Sequence, residues 1–204
     1  MSEICWRGRL YDALLNPLLR RLKKWIAKYI GANDLHPVLD VCCGTGFQIR
    51  MTGRQGRVSL GLDLDCGLVR YAAAMSPDAS FVCADATRIP VRSRSQKAII
   101  LSFALHDKSA VTRMNIIGEA KRILVPDGRI IILDFEKPWS GKSRIGSFFV
   151  GLVERAAGKE HFRNGRQFIA AGGLTAFLRE HGLTVVTSRD LEPGSSRVVI
   201  ARSA

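Results

Sequence analysis

The stretch Pro37-Val38-Leu39-Asp40-Val41-Cys42-Cys43-Gly44-Thr45-Gly46 constrains the fold more than any other part of the chain. A short apolar run breaks into a small-residue turn with two glycines, the pattern of a buried parallel strand feeding a loop before a helix. Glycine has no Cβ, so a ligand can approach the backbone of such a turn closely. The turn is therefore expected to hold a cofactor, with the rest of the chain supplying the walls. Cys42 stands at its first loop position, and a side chain there predicts a negative φ.

The alternation of elements around this turn points to an α/β fold. Strands are expected at 58–62, 80–83, 96–102 and 129–134, the 96–102 strand carrying a continuous apolar run as in a strand covered on both faces. Helices are expected at 47–52, 67–75, 109–124 and 168–182, with a Pro126-Asp127-Gly128 turn before the strand at 129. The last two strands, 183–189 and 197–202, read as an antiparallel hairpin at the sheet edge. Strands alternating with helices imply a parallel sheet with right-handed crossovers. Before it, Asn16-Pro17 reads as a helix start, followed by Leu18, Leu19, Leu22, Trp25, Ile26, Tyr29 and Ile30 at helical spacing. Arg20, Arg21, Lys23, Lys24 and Lys28 fall mostly on the other face, and Gly31 can close the helix. The chain reads as one domain, with a helical cover at 1–36, a cofactor core at 37–136, an acceptor-side insert at 137–172 holding an apolar helix near 145–157, and a C-terminal helix and hairpin at 173–204.

With 47% hydrophobic residues, the chain can bury a substantial core. No apolar run reaches the ~18 residues a membrane span needs, and the first ten residues do not read as a signal peptide. The five cysteines show neither a CxxC pair nor metal-ligand spacing with histidine, so reduced thiols, no metal and a cytoplasmic setting are expected. The net charge of +13 admits an anionic partner without naming one.

In an open parallel sheet, ligands sit beyond the carboxyl ends of the strands. The tips here are Asp40–Gly46, Asp63, Asp85, Ser102–His106 and Asp134–Glu136. Asp63 is placed to accept from ribose hydroxyls, and Asp85 from an exocyclic amine such as adenine N6. A dinucleotide turn would need a third glycine where Ile49 stands, and the P-loop pattern is absent. Four ordered stretches, 38–46, 61–65, 81–90 and 119–129, resemble the motifs of class I S-adenosylmethionine-dependent methyltransferases. The Cys-Cys-Gly-Thr-Gly turn is similar to a form among the quinone-biosynthesis enzymes.

The resemblance implies a Rossmann-like, doubly wound, mostly parallel seven-stranded sheet with an antiparallel C-terminal hairpin and helices on both faces. It implies S-adenosyl-L-methionine as cofactor. Asp40, Cys42, Cys43, Gly44, Thr45 and Gly46 would hold its methionine end. Asp63 would bind the ribose, Leu64 the adenine face, Asp85 and Ala86 the adenine edge, while Ser102 and Phe103 would lie near the methionine. His106, just past the fourth strand, is the candidate base for an acceptor that must lose a proton. Tyr11, Phe103, Trp139, Phe148 and Phe149 are the candidate apolar wall around a small or lipidic acceptor. The basic helix at 18–30 could then contact an anionic membrane peripherally. An RNA-modifying methyltransferase using the basic surface, or a cofactor-binding protein without turnover, are the alternatives.

Overall fold

The computed structural model describes residues 8, 12–13, 16–53, 58–138, 158–191 and 196–203. Seven strands, β1 (Val38–Val41), β2 (Ser59–Asp63), β3 (Ser80–Cys83), β4 (Gln96–Ser102), β5 (Leu124–Phe135), β6 (Leu183–Leu191) and β7 (Ser196–Ser203), form one sheet. Its order is β3-β2-β1-β4-β5-β7-β6. The first five strands run parallel, and β7 pairs antiparallel with both β5 and β6. Strand order reverses between β1 and β4, and that reversal opens a crevice at their carboxyl ends.

Among the described residues these helices accompany the sheet: α1 (Asn16–Ala32), α2 (Phe47–Thr52), α3 (Cys66–Met75), α4 (Ala110–Ile123), α5 (Lys159–Ala170) and α6 (Gly173–Glu180). The two-residue period of the central strands sorts their side chains into two cores. Val38, Ala98, Ile100, Ile131, Leu133, Val198 and Ile200 face Leu22, Ile26 and Ile30 of α1. Leu39, Val41, Ile99, Leu101, Ile130 and Ile132 face the other way, onto Ile116, Ile117, Ala120 and Ile123 of α4 and Leu174 and Phe177 of α6. A strand covered on both faces has no polar side to show, which is why Ala98–Leu101 is a continuous apolar run.

Three local expectations are corrected. The single helix expected at 168–182 is two, because Gly172 and Gly173 take φ of 109° and 66° between α5 and α6. Strand β5 begins at Leu124 rather than 129, with the Pro126-Asp127-Gly128 turn carried as an irregularity between the Gln96–Leu124 and Ala98–Arg129 pairings. Lys23, expected on the solvent face of α1, is buried at 8% exposure, and α1 runs through Gly31 to Ala32.

The reduced-thiol reading is corrected as well, since Cys66 and Cys83 form a disulfide with Cα atoms 5.1 Å apart. Parallel pairing sets Cys83 beside Asp63, and α3 starts three residues after Asp63, so the sheet register itself brings the two sulfurs together. Cys42 and Cys43 are free.

Candidate functional site

The glycine turn leaves β1 as a sharp reversal. The Cys43 N–H donates to Leu62 O at 2.9 Å, and the Gly44 N–H donates to Asp63 Oδ2 at 2.8 Å. Reaching both acceptors requires left-handed backbone at Cys42, Gly44 and Gly46, with φ of 59°, 54° and 69°. The negative φ expected for Cys42 is therefore wrong; the turn imposes a conformation that costs a non-glycine residue roughly 1–2 kcal/mol. The two glycines serve different needs. A Cβ on Gly46 would meet the Phe81 ring at 2.8 Å and Ala72 Cβ at 2.9 Å, whereas one on Gly44 would enter open space.

Asp63 lies at the tip of β2 and braces this turn, its other oxygen accepting from the Asp65 N–H at 2.9 Å. Asp65 in turn caps α3 by accepting from the Gly67 and Leu68 N–H groups. Leu64, between them, is 71% exposed, a large apolar side chain presented to whatever lies beyond the strand tips. Asp85 sits exposed past β3 and accepts from the Thr87 N–H, a bond that holds its carboxyl below the usual range. Ala86 is buried in the core with Val41 and Leu62. The disulfide joins the start of α3 to the end of β3, tying together the segments that carry Leu64 and Asp85.

At the tips of β4 and β5 the structure builds a polar cluster. Asp134, fully buried, accepts from the Leu105 and His106 N–H groups at 3.0 and 3.3 Å and lies 2.8 Å from His106 Nδ1. A carboxylate can only accept, so Nδ1 carries the proton and the Nε2 lone pair defines the basic side of the ring. The ring packs against Phe135 and His161, with centroids 4.5 and 5.4 Å away, and edge-on to Phe103. Phe103 itself has a φ of 53°, a strained conformation of the kind that persists where surroundings over-determine it. His161 comes from α5 and also approaches Asp107 at 3.5 Å. No local pattern marks His161 in the sequence; only the return of α5 over the strand tips brings it here. Tyr11, Trp139, Phe148 and Phe149 lie outside the described residues, as does the helix expected at 145–157.

The far end of the turn is charged and buried. Asp40 is 2% exposed, and burial pushes its carboxyl up to about 7. Its Oδ1 has no hydrogen-bond partner among the described residues, and neither does the buried Ser102 Oγ. Burial likewise lowers the Lys23 ammonium, while Asp40 and Asp12 attract it. Burial pushes the Cys42 thiol up to about 12 and raises Cys43 further, so neither is a nucleophile at neutral pH.

A family model described as a methyltransferase domain matches residues 39–132, the span from β1 through β5. Over these residues the chain is similar to class I S-adenosylmethionine-dependent methyltransferase domains. It is 28% identical over 133 residues to a demethylmenaquinone methyltransferase of Renibacterium salmoninarum, covering 65% of this chain and 55% of that protein. It is 36% identical over 137 residues to a 2-phytyl-1,4-naphtoquinone methyltransferase of Thermosynechococcus vestitus, covering 64% and 60%. The chain thus spans little more than half the length of these curated relatives. The fold is similar to that of magnesium protoporphyrin IX methyltransferase from Synechocystis with bound SAH, with a TM-score of 0.70 at 15% identity over 98% of this chain and 93% of that one.

The residues present fit the domain's cofactor, S-adenosyl-L-methionine. The open space at Gly44 and the orphaned oxygens of Asp40 and Ser102 leave room and polar partners where its methionine end would lie. Asp63, Leu64 and Asp85 follow along the strand tips, in the order expected of residues that would meet the ribose, the adenine face and the adenine edge.

Proposed function

We propose that this protein transfers a methyl group from S-adenosyl-L-methionine to a small apolar or lipidic acceptor of the quinol type, one whose hydroxyl must lose a proton as the new bond forms. Bound in the cradle, S-adenosyl-L-methionine would supply an electrophilic methyl on a sulfonium. The chain's own residues would do the remainder. The turn and Asp63 hold the nucleoside and amino-acid ends, so the reaction becomes one of alignment, worth roughly 7–11 kcal/mol when two reactants are well positioned. His106, its tautomer fixed by Asp134, takes the acceptor's proton at Nε2. Phe103 and Phe135 surround that ring with apolar surface, which keeps bulk water from competing.

The Asp134–His106 pair beside an aromatic wall is the observation that carries this reading. The names of the two relatives, both quinone methyltransferases, support the acceptor class. Incubation with methyl-labelled cofactor and separate reduced naphthoquinol, polar small-molecule and RNA fractions tests it. Label in the quinol is expected. Label confined to RNA would overturn the acceptor class and favour the basic surface as an RNA-binding face. His106→Gln is expected to lower kcat about 10²–10⁴-fold while leaving S-adenosylhomocysteine affinity unchanged. A variant with the wild-type rate removes His106 from the mechanism.

A lipidic acceptor also gives α1 a role. Its exposed row Arg20, Lys24 and Lys28 borders a groove of about 750 Å³ whose apolar lining includes Ala27, Phe47 and Met51, a surface complementary to an anionic phospholipid membrane.

A further inference from the structure

Lys23 belongs to neither the solvent face that helical periodicity assigns it nor an ordinary core. Its side chain enters the protein beneath α1, where Nζ donates to Asn16 Oδ1 at 3.3 Å and lies 5.1 Å from the centre of the Phe47 ring. Phe47 is the first residue of α2 and directly follows Gly46, so the ammonium stands at the end of the glycine turn. Its backbone is pinned there too, since Gln48 Nε2 donates to Lys23 O at 3.2 Å. The nearby acid on its own side, Asp12, is already matched by Arg50 at 2.7 Å and by the Asn16 amide.

The remaining opposite charge is Asp40, at the tip of β1. Asp40 and Lys23 are both buried and attract one another, yet no ion pair joins them, and Asp40 Oδ1 has no partner among the described residues. Two buried charges of opposite sign held apart are costly, because each loses its hydration without gaining contact with the other. Such an arrangement is stabilised by a zwitterion placed between them. An α-amino acid group has the required form, with an ammonium and a carboxylate on one carbon.

We infer that Lys23 binds the carboxylate of the cofactor's amino-acid tail while Asp40 accepts from its ammonium, so that α1 forms one wall of the cofactor site. The inference rests on S-adenosyl-L-methionine as the ligand and adds a residue outside the four motif stretches. It makes the basic helix two-sided: Arg20, Lys24 and Lys28 face solvent, and Lys23 faces inward.

The test uses calorimetric binding by the whole chain of S-adenosyl-L-methionine and of its decarboxylated form, which lacks only the carboxylate. A charge-assisted contact predicts that the wild type prefers the carboxylated ligand by about 10–100-fold. Lys23→Met, which keeps the stem but not the charge, is expected to reduce that preference to within about threefold, mostly by weakening the carboxylated ligand. Lys23→Gln, still able to donate one hydrogen bond, provides a second folded variant, and melting curves without ligand report whether each is intact. Equal affinity of the wild type for the two ligands overturns the inference, and so does a Lys23→Met protein that keeps the full preference. Wild-type protein that binds neither ligand would overturn the cofactor assignment itself, and this inference with it.

Discussion

At the scale of the residue, the site depends on positions whose local preferences are overruled. Cys42 and Phe103 carry ordinary side chains yet sit at φ of 59° and 53°, which sequence could not show because the requirement comes from hydrogen bonds to β2 and β5. The Phe103 N–H, for example, reaches Leu133 O at 2.7 Å. The acids were legible because they end strands; their partners were not. Asp40 shows the consequence most directly. Its carboxyl is pushed up to about 7 by burial, with Lys23 from α1 pulling it down and Asp63 from β2 pushing it up. Without ligand a substantial fraction is therefore protonated at pH 6. A ligand ammonium stabilises the carboxylate and lowers its pKa, so binding below pH 7 expels a proton. Affinity for S-adenosylhomocysteine should then rise as pH increases from 5.5 to about 7 and level off above, by up to tenfold per unit where the group is fully protonated. Calorimetry in buffers of different ionisation enthalpy would read the released proton directly. An Asp40→Asn protein should bind with a flat profile over that range, and an equally steep one would assign the proton to another group.

Elements and their ends come next. The boundaries of α2, β3 and β4 follow from apolar periodicity and small-residue punctuation, and each falls where the sequence pattern puts it. The motif-like run 119–129 finds its purpose at this scale too. Glu119 accepts from the Ile89 N–H and Arg122 donates to Ile89 O and Val91 O, so α4 clamps the loop that follows Asp85. What periodicity cannot register is the join between elements that are distant in sequence. The Cys66–Cys83 bridge closes a loop over a separation of 17 residues, which in the chain-entropy account stabilises by about 3 kcal/mol. Replacing both cysteines by serine should accordingly lower Tm by roughly 6–12 °C in a chain of this size. Because the bridge joins the segments bearing Leu64 and Asp85, affinity for adenosine-containing ligands should fall with it, by severalfold. Dithiothreitol should reproduce both effects in the wild type and neither in the double variant. A variant melting at the wild-type temperature would show that the thiols are not joined in solution.

For the whole molecule, the parallel sheet was readable because its strands are short, apolar and each followed by a helical pattern, while the antiparallel β6–β7 pair announced itself by the break at 192–194. The burial of Lys23 and the arrival of His161 depend on how α1 and α5 lie across the sheet, a property no single segment encodes. The same placement decides what the net charge of +13 does. Among the described residues no helix is long and apolar enough to cross a membrane. With Ile26 and Ile30 of α1 committed to the core, its outer row Arg20, Lys24 and Lys28 is what the helix would present to a bilayer. Each such cation contributes about 1 kcal/mol near an anionic leaflet and loses it within a Debye length. Vesicles rich in phosphatidylglycerol should therefore sediment the protein at low salt, neutral phosphatidylcholine vesicles should not, and replacing all three cations by glutamine should weaken partitioning about 100-fold. Cofactor affinity should be untouched, since Lys23 remains. Partitioning that ignores the triple replacement would move the contact to another face of the molecule, and its absence at low salt would leave the acceptor to reach the site from solution.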